Sequence, residues 1–133
     1  MGLDMYMYGE KYLFRARNKS QEDQMEDGFR VSKKQLDIGY WRKHSNFHNF
    51  MVENFADGDD NCQPICLSVD DLKQIIDAVD KGILMSQKMS SIDFLHVDDE
   101  LNQLLIVTIQ KAIDWLSDSN RTESRSVYYQ ASW

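Results

Sequence analysis

The densest group of side chains able to do chemistry lies in the segment 39–50. It combines aromatic rings, cations, imidazoles and carboxamides, and its candidate binding residues are Tyr40, Trp41, Arg42, Lys43, Asn46 and His48. An indole beside a guanidinium can stack on a planar group and hold an anion through a bidentate fork. We therefore predict a binding site for a small anionic, nucleotide-like ligand or for the carboxylates of a partner protein. The simpler alternative is that Trp41 packs in the core and Arg42 pairs with an acidic side chain.

Two histidines in this segment, His44 and His48, are four residues apart. On a helix this spacing places two imidazoles on one face, as metal ligands often are. A third ligand would have to come from a distant residue such as His96 or Asp4, and no zinc-protease pattern is present. We therefore predict no metal and no other cofactor, and we expect His48 to be hydrogen-bonded in the core or at a pocket.

No arrangement of catalytic residues is recognisable in the sequence. Cys62 or Cys66 could supply a thiol to His48 as a base, but nothing in their spacing connects them, and we expect both to be free thiols. The acidic run 57–60 lacks the spacing and the terminal Glu of a calcium loop. An enzyme that uses His48 as general base therefore stays an alternative to a binding protein.

The composition is that of one small globular domain. The chain has 133 residues, of which 42% are hydrophobic and 28% are charged, and its formal net charge is −7. This charge argues against direct binding to nucleic acid, because the phosphate-neutralising contribution has the wrong sign. An acidic nucleic-acid mimic that inhibits a protein with a basic surface is an alternative function. Without a basic leader or a long apolar run, we expect a cytoplasmic protein with no membrane segment, and a homo-oligomer stays open.

Strands are predicted at both ends of the chain. The alternation over 3–14 gives the first strand an apolar face that includes Met5 and a polar face that includes Asp4. A β-type segment over 126–133 ends the chain, and we expect the two terminal strands to pair, which would hold both ends in place. A short strand is predicted over 62–68, and its proline places the strand at an edge of the sheet or marks the start of the strand.

Three helices are predicted between these strands. Helical spacing over 36–55 predicts the first, with Asp37 near its start and the candidate site on or beside its core-facing stripe. The second begins at Ser68 with a capping box and ends at Gly82. The third covers 101–116, with a hydrophobic stripe that includes Leu104 and Ile109, and is preceded by a predicted strand over 92–97.

The charged segment 15–34 holds few apolar residues and is predicted to be a mobile insertion or a long hairpin. Apart from that segment, the pattern places residues 1–133 in a single domain. The predicted class is α+β, with a short antiparallel sheet packed by about three helices.

Several short motifs resemble those of one protein family. They are Met1-Gly2-Leu3-Asp4-Met5-Tyr6, then Gly39-Tyr40-Trp41-Arg42-Lys43 with Asn46 and His48, then Asn61-Cys62-Gln63, and finally Tyr128-Tyr129-Gln130-Ala131-Ser132-Trp133. With these motifs the chain resembles a group of small proteins carried by bacteriophages and prophages. The resemblance implies that the middle block is the common site of the family, and His44 lies outside that pattern.

The leading hypothesis is a phage accessory protein that acts in the host cytoplasm by binding rather than by catalysis. Countering a host defence is a role that small phage proteins have as a class. In this hypothesis the segment 40–48 holds a small anionic ligand or a host protein. It requires the guanidinium of Arg42 and the imidazole of His48 to open into one shared cavity.

Overall fold

An antiparallel sheet with helices on one face forms the protein. The computed structural model describes residues 2–15, 22–42, 45–81, 92–118 and 123–133, with the backbone alone for 92–102. In chain order the elements are β1 (Asp4–Leu13), β2 (Met25–Glu26), β3 (Phe29–Arg30), β4 (Lys33–Arg42), α1 (Ser45–Phe55), β5 (Ile65–Leu67), α2 (Val69–Asp80), α3 (Ile92–Ser117) and β6 (Glu123–Ser132). The main sheet has the order β4-β1-β6-β5, and β2 pairs with β3 in a separate hairpin. The predicted α+β class is confirmed.

The first and last strands pair along their whole length, as predicted. Asp4 lies opposite Ser132, and Leu13 lies opposite Glu123. The other edge of β1 pairs with β4, so β1 is hydrogen-bonded on both sides. The short strand β5 lies at an edge of the sheet and begins directly after Pro64, so both alternatives that the proline left open are observed.

The two faces of the sheet follow the alternation in the sequence of β1. Met5 and Met7 are fully buried and join the core, to which α2 contributes Leu72 and α3 contributes Ile109. We call the opposite face of the sheet the outer face. Its largest side chains are Tyr6, Tyr8, Tyr12, Tyr40, Arg42 and Tyr128. The described helices pack on the buried face, so none of them covers the outer face, and Tyr6 is 40% exposed there.

The predicted helix over 36–55 is wrong in its first half. Residues 33–42 form β4, and α1 begins only at Ser45. Asp37, expected near the start of the helix, lies in the strand opposite Tyr8. The apolar residues of a short segment often fit both the 3.6-residue period of a helix and the two-residue period of a strand. Here the backbone hydrogen bonds to β1 favour the strand. The residues Tyr40 to Arg42 therefore belong to a strand.

The predicted strand over 92–97 is also wrong, because these residues form the beginning of α3. A short apolar run cannot by itself distinguish a strand from a buried helix. Here it continues directly into the amphipathic pattern of 101–116, and the result is one helix of 26 residues. No helix in the described ranges combines the length and the apolar character that a bilayer span requires.

The capping box at the start of α2 is confirmed. The hydroxyl of Ser68 accepts a hydrogen bond from the backbone N–H of Asp71 at 3.1 Å, and the carboxylate of Asp71 accepts one from the N–H of Ser68 at 3.0 Å. These two bonds satisfy backbone donors that the helix itself leaves unpaired. Gly82, expected to end this helix, lies outside the described residues.

The charged segment 15–34 contains the β2–β3 hairpin, one of the two alternatives that its sequence left open. Asp27 and Gly28 form its turn with φ angles of 53° and 85°. Positive φ at both central positions is typical of the tight turns that join hairpin strands. Residues 16–21 of this segment lie outside the described residues.

Candidate functional site

Asp4 on the outer face holds two side chains of β4. Its Oδ1 accepts a hydrogen bond from the hydroxyl of Tyr40 at 2.7 Å and lies 2.9 Å from Nε of Arg42. Asp4 is directly opposite Arg42 in the strand register, so the ion pair crosses from β1 to β4. One carboxylate thereby fixes a phenol and a guanidinium, while 59% of the Arg42 side chain stays exposed.

Tyrosine rings cover much of the outer face. The ring centroids of Tyr6 and Tyr40 are 5.2 Å apart, and those of Tyr8 and Tyr128 are 5.5 Å apart. Near the far end of β1, the ammonium of Lys33 lies 5.8 Å from the ring centroid of Tyr12. Tyrosine combines a large rigid contact area with a polar hydroxyl, which is why it is enriched at protein interfaces.

Carboxylates keep two of these phenols in the neutral form. The hydroxyl of Tyr12 donates to Oε2 of Glu10 at 2.6 Å, and this hydrogen bond raises the pKa of Tyr12 to about 12. The hydrogen bond to Asp4 likewise raises the pKa of Tyr40. Both phenols therefore keep their protons to a higher pH than a free tyrosine, which is itself neutral at pH 7.

His48 lies on the buried side of the sheet. Its Nδ1 is 2.7 Å from the hydroxyl of Tyr129, and its Nε2 is 2.9 Å from a carboxylate oxygen of Asp60. A carboxylate can only accept, so in the neutral ring Nε2 carries the proton and Nδ1 accepts the Tyr129 proton. Both ring nitrogens are thus engaged, which confirms the prediction of a hydrogen-bonded core histidine.

Burial and charge also keep Tyr129 neutral. Its side chain is only 1% exposed, and desolvation is the main reason why its pKa lies far above the ordinary value for tyrosine. The nearby negative charge of Asp60 raises the pKa of Tyr129 further. The phenol therefore acts as a fixed hydrogen-bond donor inside the core.

The structure divides the predicted site residues between the two faces of the sheet. Tyr40 and Arg42 lie on the outer face, whereas Trp41 and His48 are buried. Trp41 is 5% exposed and packs edge-on against Phe47, with ring centroids 5.3 Å apart. Arg42 and His48 therefore do not open into one cavity. The simpler alternative, a core Trp41 and an Arg42 paired with an acid, is the observed arrangement.

The described structure does not bring the remaining predicted residues, Asn46 and Lys43, into this site. Asn46 is half-buried on α1, and Lys43 lies outside the described residues. His44 and the side chain of His96, considered as metal ligands, also lie outside them. Among the side chains that are described, no three His, Cys, Asp or Glu residues converge to hold a metal ion.

Sequence reasoning missed the partners of His48. Asp60 comes from the loop after α1 and Tyr129 from the last strand, and contacts between such distant segments leave no periodic signal. The outer face had a detectable signal, because Tyr6 and Tyr8 alternate with the buried methionines of β1. That alternation predicts the face but not the pairing of Asp4 with β4.

Comparisons with known proteins give no information on the function of this chain. No protein-family model, curated protein or solved structure matches this chain. The membership in a phage family stays a prediction, and the candidate site depends on the geometry of the described residues.

Proposed function

We propose that this protein acts by binding a host protein through its outer face, as a phage accessory protein in the host cytoplasm. The observation that carries the proposal is the shared carboxylate of Asp4, which fixes Tyr40 and the exposed Arg42 on a tyrosine-rich surface. Tyrosine and arginine are the residues that most often dominate binding energy at protein interfaces. Their side chains are held in place here, so less conformational entropy is lost on binding.

A protein surface suits this site better than a small anion does. Arg42 already pairs with Asp4, so the two side chains together carry no net charge for an incoming phosphate. Small ligands also prefer concave sites that bury most of their surface, whereas the outer face is the open side of a sheet. A partner protein can instead cover several tyrosines at once and donate or accept hydrogen bonds at their hydroxyls.

The surroundings of His48 support binding over catalysis. A general base needs a nitrogen within hydrogen-bond reach of its substrate. The His48 side chain is 8% exposed, and its two nitrogens are taken by Tyr129 and Asp60. We therefore assign this histidine to the stability of the core.

A capture experiment with matched variants tests the proposal. The immobilised protein is incubated with bacterial cytosol, and bound proteins are quantified by mass spectrometry for the wild type, Tyr40→Ala and Leu104→Ala. Leu104 lies on α3 and is 60% exposed, against 49% for Tyr40. We expect Tyr40→Ala to reduce capture of the specific partner at least about tenfold, as for a hot-spot residue, and Leu104→Ala to retain it.

A second variant separates this proposal from an acidic nucleic-acid mimic. Arg42→Ala removes a cation from the outer face and makes the chain more acidic. A partner attracted by the acidity would bind this variant at least as well as the wild type, and its binding would weaken steeply with salt. Such a result, or capture that Tyr40→Ala leaves intact, contradicts the use of the outer face.

A further inference from the structure

We infer that the outer face also fits a second copy of this chain, so that self-association and partner binding compete for the same tyrosines. This inference depends on the proposed function, because it takes the outer face to be a protein-binding surface. It names a further partner, the chain itself. It also implies a form of regulation, since the concentration of the protein would decide what fraction of the outer faces is free to bind the host protein.

The charge of the outer face is the first reason. The strand register places the carboxylates of Asp4, Glu10 and Asp37 on it, and the cations of Lys33 and Arg42. Three negative and two positive groups leave one negative charge, whereas the whole chain carries −7. Two copies of so acidic a chain repel each other through most of their surface, and the repulsion is weakest where nearly neutral faces meet.

The pairing of the charges is the second reason. Arg42 lies 2.9 Å from Asp4, and Lys33 lies 3.4 Å from Glu10, so each cation is already beside a carboxylate. A face of this kind can cover its own copy without burying an unpaired cation, and among the described residues Asp37 is its one carboxylate with no cation beside it. A strongly basic partner would gain little here.

The size of the face limits the area that a dimer can bury. Three strands of ten residues, at about 3.3 Å per residue and about 4.8 Å between strands, give a footprint of about 500 Å² per copy. Two copies would bury on the order of 1,000 Å², the lower end for specific complexes and the range of weak, transient ones. Two sheets packed face to face across a twofold axis would bring the outer-face tyrosines of the central strand, Tyr6 among them, against the strand of the other copy.

Sedimentation velocity over a concentration series tests this inference. The chain mass is 15.6 kDa, and we expect the weight-average mass to rise toward twice this value between about 5 and 500 µM. Tyr6→Glu would place a new charge within the interface, on its central strand, and should raise the dissociation constant at least about tenfold. Leu104→Glu places the same charge on an exposed position of α3 and should leave the dimer unchanged.

Further measurements keep the inference testable if Tyr6→Glu does not fold. Tyr40→Ser removes a ring from the same face without adding a charge, and circular dichroism shows whether each variant keeps its structure. A monomer throughout the series overturns the inference, and so does a dimer that Leu104→Glu weakens as much as Tyr6→Glu does. Salt at about 0.5 M should not dissociate the dimer, since the face is nearly neutral, and dissociation there also overturns it.

The two proposals fail in different experiments. If the wild type stays monomeric and capture of a partner depends on Tyr40, the dimer inference is contradicted and the proposed function is supported. If Tyr6→Glu weakens the dimer but Tyr40→Ala does not affect capture, the dimer inference holds. The proposal that a host protein binds the outer face is then contradicted. If both hold, the captured amount should fall when the bait is loaded at concentrations that favour the dimer.

Discussion

The hydroxyl of Tyr129 lies 2.7 Å from Nδ1 of His48 and joins the last strand to the first helix inside the core. Asp60 binds the other ring nitrogen from the loop that follows the same helix. The three side chains thus connect α1, the loop before β5, and β6. Because each buried group has its partner, the network stabilises the fold without leaving a polar atom unsatisfied.

Tyr129→Phe should destabilise the protein by about 1–3 kcal/mol, because it leaves Nδ1 of His48 buried without a donor. Urea unfolding followed by circular dichroism measures the change. The matched control is Tyr6→Phe on the exposed outer face, for which we expect a change within about 0.5 kcal/mol. Equal effects of the two variants would mean that the buried hydrogen bond contributes nothing specific.

Gly39→Ala should also be destabilising, by about 1–3 kcal/mol. A Cβ at this position would lie 2.7 Å from the ring of Trp41 and 2.9 Å from Cγ2 of Thr108. Trp41 is buried and has little room to move. The sign is informative, because Gly→Ala in a strand without such crowding usually stabilises. Gln35→Ala, at an exposed position of the same strand, should be close to neutral in the same unfolding assay.

Ser68→Ala should cost about 1 kcal/mol, because it removes the side-chain acceptor at the start of α2. Ser68→Gly should cost only a few tenths of a kcal/mol, since glycine is itself a tolerated cap. Thermal unfolding of both variants measures the difference. If Ser68→Gly is the more harmful change, the capping hydrogen bond is not the main contribution of this serine.

Alkaline pH should destabilise the protein through its tyrosines. The hydrogen bond to Glu10 raises the pKa of Tyr12 to about 12 in the folded state, against about 10 for a free tyrosine. The folded state therefore holds this proton more tightly. Its contribution is fully present below about pH 10 and is lost as the pH rises through about 12. Burial of Tyr129, whose pKa is also raised, acts in the same direction.

The measurement for this prediction is the urea midpoint as a function of pH. Tyr12→Phe removes one titrating phenol and should make the decline above about pH 10 shallower. A decline as steep as that of the wild type would contradict the assignment of the shift to Tyr12.

Local patterns predicted the parts of the fold that depend on neighbouring residues. The alternation of Met5 and Met7 with tyrosines gave the first strand and its faces, and the Ser68 capping box gave the start of α2. The class and the pairing of the terminal strands followed from these elements. The hydrophobic stripe assigned to α3 was correct at Ile109 but not at Leu104, which is 60% exposed.

The errors occurred where distant segments decide the structure. Residues 36–42 have an apolar spacing that fits a helix, but pairing with β1 makes them a strand. That difference moves Tyr40 and Arg42 to one face of the sheet and leaves Trp41 and His48 on the other. The residues of the candidate site were therefore assigned to one helix, whereas the structure places them on a strand and a helix and on two faces of the sheet.

The position of β1 between β4 and β6 has a consequence for biosynthesis. During translation, β1 and β4 emerge from the ribosome before β6 does, and β6 pairs with β1 along its full length. Until then the nascent chain exposes one edge of β1 and the methionines that β6 helps to cover. Non-local pairing of this kind forms late and leaves unpaired strand edges open to aggregation. The sheet can close only after translation has passed residue 132, so a chaperone that shields β1 in the meantime should raise the yield of folded protein.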